Sequence, residues 1–190
     1  LFPSKATGQA RLADVYAEHN LMNEALGLYE KAVRAEPSNL QLKRGLAQAL
    51  ERLNRPSDAV RQWEQIYFAA SGPAERPLRL EARGRLAKLL RKETRLLPTL
   101  YSWQRRLARE LGGVSLSSER MAPGGRVALA VLVADVSLGL GQVGEAEAAL
   151  SRLSKQLQPG PLLAEVLLSL VPIYQQQRKL DEAIAALKQA

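Results

Sequence analysis

One spacing constrains this chain more than any other feature. Leu12, Ala13 and Tyr16 return as Leu46, Ala47 and Leu50, each 34 residues on. Ala25 returns as Ala59, Tyr29 as Trp63 and Asn20 as Asn54, at the same offset. Ala25, Tyr29 and Ala32 fall at i, i+4 and i+7, so they share one helical face. Small residues at Ala13 and Ala25 let two helices approach closely. The large side chain at Tyr29 or Trp63 fills the gap to the next pair. Pro37 closes the second helix, because proline lacks the backbone donor and its ring clashes with the preceding turn.

The spacing can be followed through the chain. Residues 6–39 and 40–73 form the first two copies. Residues 80–112 hold a third, with Leu86, Ala87, Leu90 and Trp103 in frame. Here Thr99 replaces the small Ala25, Arg106 stands where Ala32 stood, and Pro98 falls in a first helical turn, where proline is tolerated. Residues 127–160 carry Ala134, Gly141, Ala146 and Leu150 in a fourth copy, with Gly139–Gly144 as the turn between its helices. Residues 164–190 begin a fifth, in which Tyr174, Ala183, Leu187 and Ala190 match Tyr16, Ala25, Tyr29 and Ala32. Pro172 inside its first helix is expected to kink it or leave a carbonyl unpaired. The Gly- and Ser-rich stretch between the third and fourth copies reads as a loop or hinge. The expected organisation is therefore 1–112, a loop at 113–126, and 127–190, in one continuous array.

A period of 34 residues with two helices per copy resembles the tetratricopeptide repeat family. The stretch NEALGLYEKAVRAEPSN at 23–39 and DEAIAALKQA at 181–190 carry the resemblance best. It implies an all-α, right-handed α-solenoid of stacked antiparallel helix pairs. About five such repeats are expected, the third degenerate and the fifth truncated. It further implies a non-catalytic protein that binds a peptide or protein partner in a concave groove lined by the first helix of each repeat. On that face stand Thr7, Ala10, Asp14 and Ala17, then Gln41, Arg44, Gln48 and Glu51, then Glu81, Gly84, Lys88 and Arg91. The fourth and fifth repeats offer Ala128, Val131, Asp135 and Leu138, and Glu165, Leu168, Pro172 and Gln175. Chaperone-binding members carry Lys and Asn on the first inner face. Ala10 and Asp14 occupy those places, which argues against a carboxylate clamp.

Charge sharpens the expectation. Residues 75–126 hold 13 Lys and Arg against 5 Asp and Glu, whereas the remainder holds 14 of each, so the whole net charge of +8 lies in that segment. A dense run from Arg76 to Arg95 must cover most of its helix surface. A solvated face in an arginine-biased composition is the bland explanation, and that bias also hints at a bacterial source. An acidic protein partner is the functional one. Nucleic acid is a second alternative, weakened because no aromatics interleave with the arginines. The expected partner-binding residues are Arg44, Gln48, Glu51, Arg83, Lys88, Arg91 and Arg95. A regulatory role within a larger enzyme is a third reading, since the sequence reads as an excerpt of a longer chain.

The sequence points to no catalytic set. His19 is the single histidine and there is no cysteine, so Cys-ligated zinc, disulfides and thiol chemistry are excluded. Ser115, Ser117 and Ser118 have no base nearby in sequence. No catalytic, metal or cofactor residues are assigned. The apolar runs Val127–Leu138 and Leu162–Val171 fall short of the roughly 18–20 residues a membrane span needs, and no membrane insertion is expected. The compartment stays open between cytoplasm and periplasm. The apolar face of the last half-repeat, with Ile184 and Leu187, is expected to self-associate, since an uncapped array end exposes packing surface.

Overall fold

The computed structural model describes residues 4–112 and 121–190. Among the described residues all regular structure is helical. Ten α-helices follow one another: α1 (Lys5–Glu18), α2 (Met22–Ala35), α3 (Leu40–Arg52), α4 (Pro56–Ala69), α5 (Arg76–Lys92), α6 (Leu97–Leu111), α7 (Pro123–Gly139), α8 (Val143–Ser154), α9 (Pro161–Gln176) and α10 (Leu180–Gln189). Short 3₁₀ turns precede α5 and α6, at Pro73–Glu75 and Thr94–Leu96. None of these helices is long and apolar enough to cross a membrane.

The chain divides into two compact units, Leu1–Leu89 and Leu90–Ala190. The division falls inside α5 rather than on the Gly- and Ser-rich stretch. In the N-terminal unit α1 pairs with α2 and α3 with α4, and α2 packs on α3. In the C-terminal unit α7 pairs with α8 and α9 with α10, while α8 packs on α9. Each pairing is an antiparallel hairpin. The small residues lie where helices meet: Ala13, Ala25, Ala47, Ala59 and Ala146 are fully buried.

Four hairpins share one turn. Asn20, Asn54, Gly141 and Arg178 all have left-handed backbones, with φ of 61°, 54°, 77° and 60°. After each, the next amide reaches back to close the helix: Leu21 N–H to Tyr16 O at 2.9 Å, Arg55 to Leu50 at 2.9 Å, Gln142 to Ser137 at 2.8 Å, and Lys179 to Tyr174 at 2.9 Å. A second bond runs from the left-handed residue itself to the carbonyl three back, at 3.0–3.2 Å. This pair of bonds is the Schellman stop. The sequence marks Asn20, Asn54 and Gly141 for this role; Arg178 carries no such mark. The connection between α5 and α6 departs, as the degenerate sequence of the third copy suggests. No left-handed residue is found there, and the 3₁₀ turn at Thr94–Leu96 replaces the stop, with Leu96 N–H bonded to Glu93 O at 2.9 Å. In α6 Leu100, Trp103 and Leu107 are buried, whereas Arg106 is exposed.

Several expectations need correction. Leu12 was expected on the packing face of α1 but is exposed, and Val15 with it. No described element covers that face. The loop expected at 113–126 ends early, because Pro123 starts α7 and Pro123–Arg126 form its first turn. Proline suits that position, where an amide would have no intrahelical partner. Residues 113–120, with Ser115, Ser117 and Ser118, lie outside the described residues. Pro172 stands inside α9 as expected, and the helix runs on past it to Gln176. Its missing amide would serve the carbonyl of Leu168, and both residues are exposed, so water can satisfy that carbonyl.

Candidate functional site

The polar face of α3 meets α5 within the N-terminal unit, and the contact is built from charge. Arg44, Gln48 and Glu51 lie three and four residues apart, on one face of α3. Glu81 and Arg85 lie four apart on α5. Glu81 receives both the Arg44 guanidinium, at 2.8 Å, and the Gln48 amide, at 3.2 Å. Glu51 accepts the Trp63 indole N–H on one oxygen at 2.6 Å and the Arg85 guanidinium on the other at 3.3 Å. Arg85 also lies over the Trp63 ring, 6.0 Å from its centroid. Gln48, Glu51, Arg52 and Arg85 line an open cleft of about 350 Å³.

The exposures within these pairs are unequal. The Arg44 side chain is 43% exposed against 24% for Glu81, and Arg85 is 39% exposed against 17% for Glu51. In both pairs the arginine is the more exposed partner and the carboxylate the less exposed one. Arg52 is exposed at the cleft rim. The face therefore presents a basic surface although its formal charges nearly balance. Sequence reasoning missed Arg52, since it falls one position past the expected inner-face series.

A related bond ties the first hairpin. Asp14, expected to face the groove, accepts a hydrogen bond from the Tyr29 hydroxyl. Burial, followed by that bond to a carboxylate, pushes the Tyr29 phenol well above its usual range. In both hairpins the large aromatic of the second helix donates to an acid on the first.

The remaining expected residues are dispersed. Arg83 is half-buried and already engaged, and Lys88 is exposed. Arg91 and Arg95 belong to the C-terminal unit. There the Arg91 stem lies against Gly139 at the end of α7, and Arg95 pairs with Glu93 at 3.2 Å. The arginine run of α5 thus does not form a uniformly solvated face. Arg79 lies over the Tyr67 ring at 5.4 Å, and Arg85 is committed as described. Burial also corrects the apolar part of the expected groove. Ala128 and Val131 are core residues, because α7 is buried on nearly all sides. Leu168 and Pro172 are exposed. Among the described residues no three His, Asp or Glu side chains gather as metal ligands would, and His19 is an exposed residue at the end of α1.

Residues 10–75 match the model of the tetratricopeptide repeat family. That stretch is similar to tetratricopeptide repeats. It contains Arg44, Gln48, Glu51 and Trp63, and hence the α3 side of the cleft. Beyond it, the fold is shared with solved repeat structures. Nearly identical TPR-like repeats from Podosopora anserina, of a protein described as a kinesin light chain, are 23% identical with a TM-score of 0.51, over 99% of this chain and 94% of that one. A variant of the same protein is 22% identical with a TM-score of 0.51, over 97% and 92%. The search of curated proteins finds no match.

Proposed function

We propose that this chain is a non-catalytic scaffold that binds an acidic protein or peptide segment on the α3–α5 face of its N-terminal unit. One observation carries the reading: Arg52 is exposed on the rim of the open cleft that Gln48, Glu51 and Arg85 line, and in the ion pairs of this face Arg44 and Arg85 are each more exposed than their carboxylate partners. A partner carboxylate can approach those cations without first displacing Glu51 or Glu81. Complementary charge of this kind sets register and raises the association rate. Support also comes from the repeat architecture, whose packing positions leave Arg52 exposed and outside the internal ion pairs of this face. The same cleft offers no nucleophile–base pair and no cluster of unpaired acids.

The test uses fluorescein-labelled acidic peptides titrated with the 190-residue chain, read by fluorescence polarisation. Arg52→Glu, at an exposed position outside the internal ion pairs, should weaken binding about tenfold or more, which corresponds to roughly 1.4 kcal/mol. Its helical signal and melting temperature should be unchanged. Equal affinity for acidic and neutral peptides, or indifference to Arg52→Glu, would reject the proposal. Stronger retention of single-stranded RNA or DNA than of any peptide would reject it in favour of nucleic-acid binding.

A further inference from the structure

The two arginines paired across the α3–α5 contact are not held alike. Arg44 meets Glu81 at 2.8 Å, within the range of a strong charge-assisted contact. Arg85 meets Glu51 at 3.3 Å, beyond that range, from a side chain that is 39% exposed. An ion pair of that length and exposure is weak. Glu51 has a second and closer partner. Its other oxygen accepts the Trp63 indole N–H at 2.6 Å, and Trp63 is wholly buried. Glu51 is thus fixed by the core, whereas Glu51 holds Arg85 only loosely.

The surroundings allow Arg85 to change partner. Arg85 lines the same open cleft as Arg52, which stands outside the ion pairs of this face. Glu51 lines that cleft as well, so water can reach the carboxylate oxygen that Arg85 would leave. Among the lining residues Glu51 alone opposes Arg52 and Arg85. One positive charge is left over, and one carboxylate balances it. A phosphoryl group, with its roughly double charge, would overshoot.

We propose that Arg85 is an exchangeable cation, released from Glu51 to a partner's carboxylate once that group has docked beside Arg52. Glu51 is then an internal competitor that holds Arg85 in the free chain and stays with Trp63 in the complex. The proposal rests on the reading of this cleft as a site for an acidic segment, and adds which cation moves. It also makes affinity lower than two unpaired arginines would give, because Arg85 must leave one carboxylate to reach the other.

A fluorescein-labelled hexaglutamate peptide, titrated with the chain and followed by polarisation, tests this. Glu51→Gln removes the competing charge and keeps an acceptor for Trp63. It should fold and bind about two- to fivefold tighter, the range that a partly exposed ion pair commands. Arg85→Gln should bind more weakly than wild type. Glu51→Gln/Arg85→Gln should bind no tighter than Arg85→Gln, since no cation is left to release. In NMR spectra of the wild-type chain, the Trp63 indole N–H signal should move on saturation, because Arg85 leaves its ring. That of Trp103, in the C-terminal unit, should stay. An equal gain from Glu51→Gln with and without Arg85 would be a general charge effect and would overturn the proposal. So would an unchanged or weaker Glu51→Gln affinity, or a static Trp63 signal in a saturated wild-type chain. In each of these cases, weakening by Arg52→Glu would leave the acidic-segment reading standing. A wild-type chain that ignores the peptide would overturn both.

Discussion

Trp63 Nε1 donates to Glu51 Oε1 at 2.6 Å from a side chain that is wholly buried. The indole has a single donor, and in that position it has no access to water. Replacing Glu51 by Ala would strand it, at a cost of about 1–3 kcal/mol. Glu51→Gln keeps an acceptor and should recover most of that loss. Urea unfolding of the three proteins would measure the difference as a shift in midpoint at unchanged slope. Equal midpoints for wild type and Glu51→Ala would show that this bond does not hold α3 to α4.

Gly45 sits in the middle of α3, where glycine ordinarily weakens a helix by roughly 0.5–1 kcal/mol relative to Ala. A methyl group there would lie 2.5 Å from Tyr29 Cε1 and 2.9 Å from Cδ1. The ring cannot swing aside easily, because its hydroxyl is bound to Asp14. Gly45→Ala should therefore destabilise by about 1–3 kcal/mol, as overpacking does, despite its better helix propensity. Gly27→Ala on α2 meets nothing within 4 Å and serves as the control; it should stabilise or be neutral in the same thermal melt.

Arg178 holds a left-handed backbone without the freedom of glycine. Arg178→Gly should relieve that strain and raise stability by about 0.5–1 kcal/mol, the net of about 1–2 kcal/mol of left-handed strain and the greater freedom of glycine when unfolded. Asn20→Ala should move the other way by a similar amount, because Asn tolerates the conformation better than Ala. Differential scanning calorimetry would register both as opposite shifts in melting temperature.

Glu147 on α8 is held by Lys179 at 2.9 Å and by Gln177 at 2.7 Å. The hydrogen bond from Lys179, with that from Gln177 second, keeps the Glu147 carboxyl below its ordinary value; the same contact raises Lys179. A depressed carboxyl contributes stability above its unfolded pKa and loses it as pH falls through the folded one. A raised amine contributes below its unfolded pKa and loses that as pH climbs through the folded one. The pair should stabilise the α8–α10 region across the neutral range and fade at both ends. In Glu147→Gln, the stability difference from wild type should shrink below the glutamate range, as followed by melting temperature against pH.

Much of the fold is legible in the sequence because packing imposes a spacing. Ala13, Ala25, Ala47 and Ala59 recur at 34 residues since helices can approach only where side chains are small. Two of the turns are legible because Asn tolerates a left-handed backbone. Arg178 is not, because the backbone hydrogen bonds that define the stop accept any residue able to bear the strain. The candidate site is less legible. Arg44, Gln48 and Glu51 are recognisable as one face of α3, but their engagement by Glu81 and Arg85 depends on how α5 lies against α3. The arginine run misleads for the same reason: Arg79 and Arg85 are placed by Tyr67 and Trp63, aromatics on another helix. Register places Ala128 and Val131 on the inner face of their repeat, but α7 is buried on nearly all sides and both are core.

The four Schellman stops give this chain a set of built-in reporters. The amides of Leu21, Arg55, Gln142 and Lys179 lie outside the helices, yet each is bonded across a turn that exists only while its hairpin is closed. Their hydrogen-exchange rates would follow the opening of four hairpins one by one. The α5–α6 connection has no such amide, and exchange there would report only the local life of a 3₁₀ turn.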